Sequence, residues 1–337
     1  MRPVHRLPSR PRVQRCLSLF FVTTLVVFSL TTSPARGQFD EPEKKSSGGS
    51  QLDEAKTVRV QIGIIVESTG GAMRGVYGTA PIPIDWPEQK VKIVDEENTS
   101  HVKKVKYRTV GKTMKQMEVT IPQVERGGTA KALVTFEVQR SAMKEPESTD
   151  GYVVPEKVDR ALRLYLQASP FIETRNGKIR KLAKQLKEEA GDKNAWQTVE
   201  YFYDWVRDNI EYKKGPIKGA QKALKDKTGD CEELSSLFIA LCRLNGIPAR
   251  IVWIPSHCYP EFYLEDDEGN GYWFPCQAAG TRAFGSMPEH RIILQKGDNF
   301  KVPHEKKRQR YVSEFLRVDA PGNSPPKVKF VRKVLSD

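Results

Sequence analysis

From residue 57 to about 140 the chain runs in short stretches where apolar and polar positions nearly alternate. "TVRVQIGIIVES", "QKVKIVDEE", "HVKKVKYRTV", "KQMEVTIP" and "AKALVTFEVQR" are rich in β-branched residues, and Gly clusters such as "STGGAMRG" and "RGG" separate them. Period two with such punctuation predicts an antiparallel β-sandwich-like domain over 57–142. No polar constellation in it demands chemistry. After "MKEPESTDGY" the period becomes helical: "VPEKVDRALRLYLQAS", "GKIRKLAKQLKEEAG" and "NAWQTVEYFYDWVRDNI" each place apolar residues on one face. A further helix begins at Cys231, followed by the strands "ARIVWIP", "HCYPEFYLED" and "GYWFPCQA" and a late strand in "YVSEFLRV". The class is α+β, with a second domain over 151–318. Residues 38–56, polar and Gly/Ser-rich, predict a flexible lead-in. Residues 319–337, rich in Pro and Lys, predict a loose tail.

Charge changes this picture mainly at the N-terminus. The formal net charge over 337 residues is +13, and residues 1–37 hold six arginines and no acid, so removing six leaves +7. That mixed remainder is poor grounds for a nucleic-acid partner. The Arg-rich start leads into "CLSLFFVTTLVVFSL" and then "TTSPARGQ". Basic, apolar, then small is the order of a secretory signal peptide, and the apolar run is short of the roughly 20 residues that span a bilayer. The expectation is a leader over 1–37, export to the periplasm or exterior, and no stable membrane insertion after cleavage.

Five cysteines are present. Cys16 lies in the leader, and Cys231, Cys242, Cys258 and Cys276 crowd into 46 residues. A disulfide framework would spread them more widely, so the crowding points to local chemistry. In "KTGDCEELSSLFIALCRLNGIPARIVW" Asp230 is placed to cap the helix and Glu233 to complete a capping box. Leu234, Leu237, Phe238 and Leu241 bury the helix, and Gly246 with Pro248 ends it. Cys231 then sits in the first turn, where free N–H groups and the positive dipole end favour a thiolate and could hold an oxyanion. His257 opens the next strand but one and is the candidate base. Strand alternation places His257, Tyr259, Glu261 and Tyr263 on one face and Cys258, Phe262 and Leu264 on the other.

"GDCEELSSLFIALCRLNGIPARIV", "HCYPEFYL" and "GYWFPCQ" together resemble the transglutaminase-like superfamily of papain-type cysteine enzymes, and "VEYFYDWVRDNIEYKKG" resembles the helix leading into that core. The likeness covers roughly 155–300. It implies helices packed on an antiparallel sheet and a cysteine, histidine and acid arrayed for acyl transfer. By position Cys231 is then the nucleophile and His257 the general base. The acidic position falls on Gln277, a departure from the family pattern. A glutamine carbonyl can still accept the imidazole N–H, although it stabilises the imidazolium less than a carboxylate does. On charge alone, Gln277→Asp should preserve or raise activity.

Cys242 reads as packing. Cys258 and Cys276 lie on neighbouring strands, where they could form a disulfide facing away from the site. A zinc site is disfavoured, because His257 and Cys258 point apart and no CxxC spacing exists. Nothing calls for a cofactor. Two functions follow. One is an exported cysteine enzyme that attacks a peptide or protein amide and passes the acyl group to water or to an amine. The other is a non-catalytic module of the same fold that binds a peptide or cell-envelope ligand.

Overall fold

The computed structural model describes residues 48–303, 305–320 and 324–335. The expected leader, and the lead-in as far as residue 47, lie outside the described residues. Six strands open the fold: β1 (Gln51–Glu67), β2 (Met73–Ile82), β3 (Gln89–Asn98), β4 (Lys104–Thr109), β5 (Lys115–Val124) and β6 (Thr129–Lys144). Then come α1 (Arg160–Arg163), α2 (Gly177–Ala190), α3 (Ala195–Asn209), β7 (Glu211–Tyr212), α4 (Gly219–Asp226), β8 (Thr228–Gly229) and α5 (Cys231–Leu244). The strands β9 (Ala249–Ile254), β10 (His257–Glu265), β11 (Gly271–Pro275), β12 (Gln295–Lys296), β13 (Phe315–Ala320) and β14 (Lys327–Leu335) complete it.

The sandwich is two antiparallel four-stranded sheets, ordered β14-β1-β6-β3 and β13-β2-β5-β4. Period two sets its core. Val60, Ile62, Ile64 and Val66 of β1 pair with Phe136, Val134, Ala132 and Ala130 of β6, and all eight are buried. Val76 and Ala80 of β2 and Val119 and Ile121 of β5 close the core from the other sheet. β2 is the strand that its glycines and prolines concealed from sequence reading. A Cβ at Gly78 would meet only the tip of the Ile64 side chain in the facing sheet, with Cδ1 at 2.6 Å.

Both chain ends build this layer. β13 pairs with β2, and β14 pairs with β1 from Arg59↔Leu335 to Glu67↔Lys327. The expected loose tail is therefore corrected: Lys327–Leu335 is an edge strand, and the lead-in already becomes β1 at Gln51. Alternation of Val328, Phe330 and Val334 with Lys327, Lys329 and Lys333 is the strand signal that the basic composition hid. The helix expected over 158–166 also shrinks to α1 and one 3-10 turn. α1 buries none of its residues, and a short helix without packing is not stable.

The second layer group is a sheet ordered β11-β10-β9-β12, with helices against one face and the sandwich against the other. On the helix side Ile251, Trp253, Cys258, Phe262 and Phe274 join α5, α3 and α2 in a single core. On the opposite side Val252, Ile254, Tyr259 and Ile293 meet Met143 at the end of β6, and Ile292 and Leu294 enter the sandwich core itself. A buried ionic chain crosses the same boundary. Lys296 Nζ lies 2.6 Å from both Glu88 Oε1 and Glu261 Oε1, and Arg250 holds the other oxygen of Glu261 at 2.7 Å. The connection between the two halves, residues 145–151, is largely exposed. Because β13 and β14 return across it, cleavage after Glu147 is expected to nick the chain without separating the pieces. A denaturing gel should show two fragments where native size exclusion shows one species. Release of a folded piece beginning near residue 151 would contradict this.

Candidate functional site

Cys231 is the first residue of α5. The capping box forms: Asp230 Oδ1 accepts from Glu232 N at 2.8 Å, and Glu233 Oε2 accepts from Asp230 N at 3.1 Å. Glu233 is buried, and its other oxygen accepts from Lys218 N at 2.8 Å, which ties the start of α4 to the start of α5. Gly229 is forced by this arrangement, since a Cβ there would lie 2.5 Å from Glu233 Cβ. The parallel pair β7–β8 fixes the same corner, with Lys213 N donating to Gly229 O at 2.7 Å. Tyr212, within electrostatic reach of Cys231, is one wall of an open cleft that His257, Ala279 and Gly280 also line. A second groove, bordered by Tyr77, Arg108, Tyr311 and Phe315, touches none of the three predicted site residues.

His257 begins β10 after the two-residue turn Pro255-Ser256, in which Ser256 takes a left-handed conformation (φ 59°). The imidazole meets Cys231 on one side and Gln277 on the other, with Nε2 3.0 Å from Gln277 Oε1. Gln277 follows β11 and is held from α3. Tyr203 Oη and Arg207 Nη1 each donate to its carbonyl at 2.8 Å, and Arg207 Nη2 donates to Gly280 O at 2.9 Å. The Gln277 amide nitrogen in turn donates to Glu289 Oε1 at 3.2 Å. The three residues singled out from sequence are thus together. Sequence reading missed Tyr203, Arg207 and Glu289. The i, i+4 spacing of Tyr203 and Arg207 on one helix face could have found the first two, but no pattern marks a loop glutamate.

Electrostatics favour an ion pair. A hydrogen bond from Cys258 and, against the opposing effect of burial, a hydrogen bond and charge interaction with His257 bring the Cys231 thiol down to about 4. Burial works against the His257 imidazolium, yet contacts with Cys231 and Gln277 outweigh it and raise the group above its ordinary range.

The expectation for Cys258 is corrected. All four described cysteines are free. The register sets Cys276 against Pro260, with Cys276 N donating to Pro260 O at 3.0 Å, two residues away from Cys258. A diagonal neighbour stands about 7–8 Å away, beyond disulfide reach. Cys258 instead turns toward Cys231, with its sulfur 4.0 Å from Ser235 Oγ one helical turn further along α5. His257 and Cys258 both reach the helix side because alternation breaks down at the strand end beside the Ser256 turn. Burial pushes the thiols of Cys242, Cys258 and Cys276 up. Among the described residues no cluster of three or more His, Cys, Asp or Glu is placed to hold a metal ion.

Residues 180–278 match the transglutaminase-like superfamily. This part of the chain is a transglutaminase-like core. A Cytophaga hutchinsonii protein, named as a proposed cysteine protease, superposes with a TM-score of 0.55 at 18% identity, over 85% of this chain and 94% of its own. That span takes in the sandwich as well as the transglutaminase-like core, and the likeness shows a shared fold. The periplasmic domain of TgpA from Pseudomonas aeruginosa, bound to ethylmercury, gives a TM-score of 0.32 at 14% identity over 68% of this chain and 90% of its own. No curated protein matches the chain. Within the transglutaminase-like core the matched segment ends one residue past Gln277, so Glu289 lies beyond it.

Proposed function

We propose that the protein is an exported cysteine enzyme that attacks a peptide or protein amide and transfers the acyl group to water or to an amine. The observation that carries this reading is the placement of Cys231 at the first turn of α5, in contact with a His257 that Gln277 orients at 3.0 Å, a setting that lowers the thiol to about 4. The Cys231 thiolate adds to the amide carbonyl carbon, and the N–H of Cys231, which the Asp230 cap does not use, takes the resulting oxyanion. The His257 imidazolium gives its proton to the departing amine, which leaves an acyl-cysteine. Neutral His257 then takes a proton from the incoming water or amine, and collapse of the second intermediate returns Cys231. Gln277 accepts from Nε2–H throughout, which leaves Nδ1 to face the sulfur. The binding-module alternative drew on the neutral residue at 277. That residue makes the orienting contact the chemistry requires, which supports the enzyme reading. Export rests on the leader pattern of residues 1–37.

Iodoacetamide labelling tests the reading. At about pH 6 a single thiol, Cys231, should react in the folded protein, and the other three described cysteines only after denaturation. His257→Ala should move the pH profile of Cys231 labelling upward toward that of an ordinary thiol. Labelling of Cys231 like a free thiol, with no response to His257→Ala, would sink the proposal.

A further inference from the structure

Gln277 stands between an imidazole and a carboxylate, and only one orientation of its amide serves His257. A carboxylate accepts hydrogen bonds and donates none. Glu289 Oε1 lies 3.2 Å from the Gln277 side-chain nitrogen, so the NH₂ group faces Glu289 and the carbonyl faces His257 Nε2 at 3.0 Å. A carbonyl acceptor keeps a proton on Nε2 and supports the imidazolium, with Nδ1 left for the Cys231 sulfur. A reversed amide would aim NH₂ at Nε2 and disfavour the imidazolium. Glu289 is itself anchored from its far side, where Arg291 Nε donates to Oε2 at 2.6 Å. The main-chain carbonyl of Gln277 is occupied by Tyr203 and Arg207, so neither group competes for the side-chain amide.

We propose that Glu289 is a positioning residue that fixes the Gln277 amide, and through it the tautomer of His257. This rests on the reading of Cys231 and His257 given above. It also explains how a neutral residue serves at 277, and it reverses the expectation for Gln277→Asp. A carboxylate at 277 would face that of Glu289, and two such groups share one proton rather than both ionising. The aspartate side chain is also one methylene too short for the 3.0 Å contact.

The test is the rate of Cys231 alkylation by iodoacetamide near pH 6, measured on the full chain in two backgrounds. With Gln277 present, Glu289→Ala should lower the rate about 3- to 10-fold, the effect of one weakened hydrogen bond. In a Gln277→Glu background there is no amide to orient, and Glu289→Ala should leave the rate unchanged or raise it. Loss in both backgrounds would mean a through-space charge effect or a structural role, and loss in neither would mean no role. Either result overturns the proposal. His257→Ala separates the two readings: if it slows labelling while Glu289→Ala does not, the enzyme reading stands and this inference falls. Glu289 is partly exposed in a loop, and matching thermal unfolding curves would exclude a folding defect.

Discussion

Cys231→Ala should leave no measurable amide turnover, and His257→Ala should reduce it by about 10²- to 10⁴-fold, the range of a lost general acid–base group. Gln277→Ala should cost about tenfold, since it removes one orienting hydrogen bond and neither reacting atom. The ordering matters more than any single value. A binding protein built on this fold would lose ligand affinity through contact area and would show no such hierarchy. The pH dependence has a worked sign. Cys231, lowered to about 4, supplies thiolate above that pH and loses it on acidification. His257, raised above 6.5, keeps its proton until the pH climbs past its shifted value. Turnover should therefore follow a bell with an acid limb near 4 and an alkaline limb above 6.5. A His257→Ala protein with wild-type turnover would refute the assignment.

Lys296→Met should be the most destabilising change outside the site. It strands Glu88 and Glu261, both buried and each 2.6 Å from the ammonium. Removing one partner of a buried pair costs about 3–5 kcal/mol, and Arg250 pairs directly with Glu261 but reaches Glu88 only through longer-range charge. Denaturant unfolding at neutral pH would measure the loss. Burial raises the Glu261 carboxyl, but Lys296 and Arg250 outweigh it and hold the group below its ordinary value of 4.5. Its contribution to wild-type stability is thus complete above 4.5 and declines as pH falls through the lower native value. In Lys296→Met the stranded carboxylates can be relieved by protonation, so the deficit should shrink on mild acidification. A deficit under 1 kcal/mol, or one that grows toward acid, would contradict this account.

Local patterns carried most of the fold into view, and their failures have physical causes. β1, β5 and β6 were legible because one face of each is buried in the sandwich core, which imposes period two, while β4 lays Val105 and Tyr107 and β3 only Val91 against it. β2 was hidden because Gly75, Gly78 and Pro81 interrupt its alternation. β14 was hidden because an edge strand needs little burial, and its lysines resemble a solvated tail. At the site, Cys231 and His257 could be read because a helix cap and a strand start both leave local marks. The true facing of His257 could not, because it depends on a turn with Ser256 at positive φ rather than on the alternation that places Cys258 with Phe262 and Leu264. Glu289 lay out of reach for a different reason, since its partner Gln277 is twelve residues away across a loop.

The pairing of β1 with β14 also sets an order of manufacture. What packs around Cys231 is in place by about residue 310, where Arg310 meets Glu232 at 2.9 Å. The sheet that begins at Gln51 closes only once Leu335 has been made. During synthesis, then, the layer begun first is finished last. For that interval β1 is an open edge, and the thiol cleft can form before the fold that carries it is sealed. A chain interrupted in its final stretch would expose strand edges beside an assembled cleft, which gives such products a ready handle for removal by proteases.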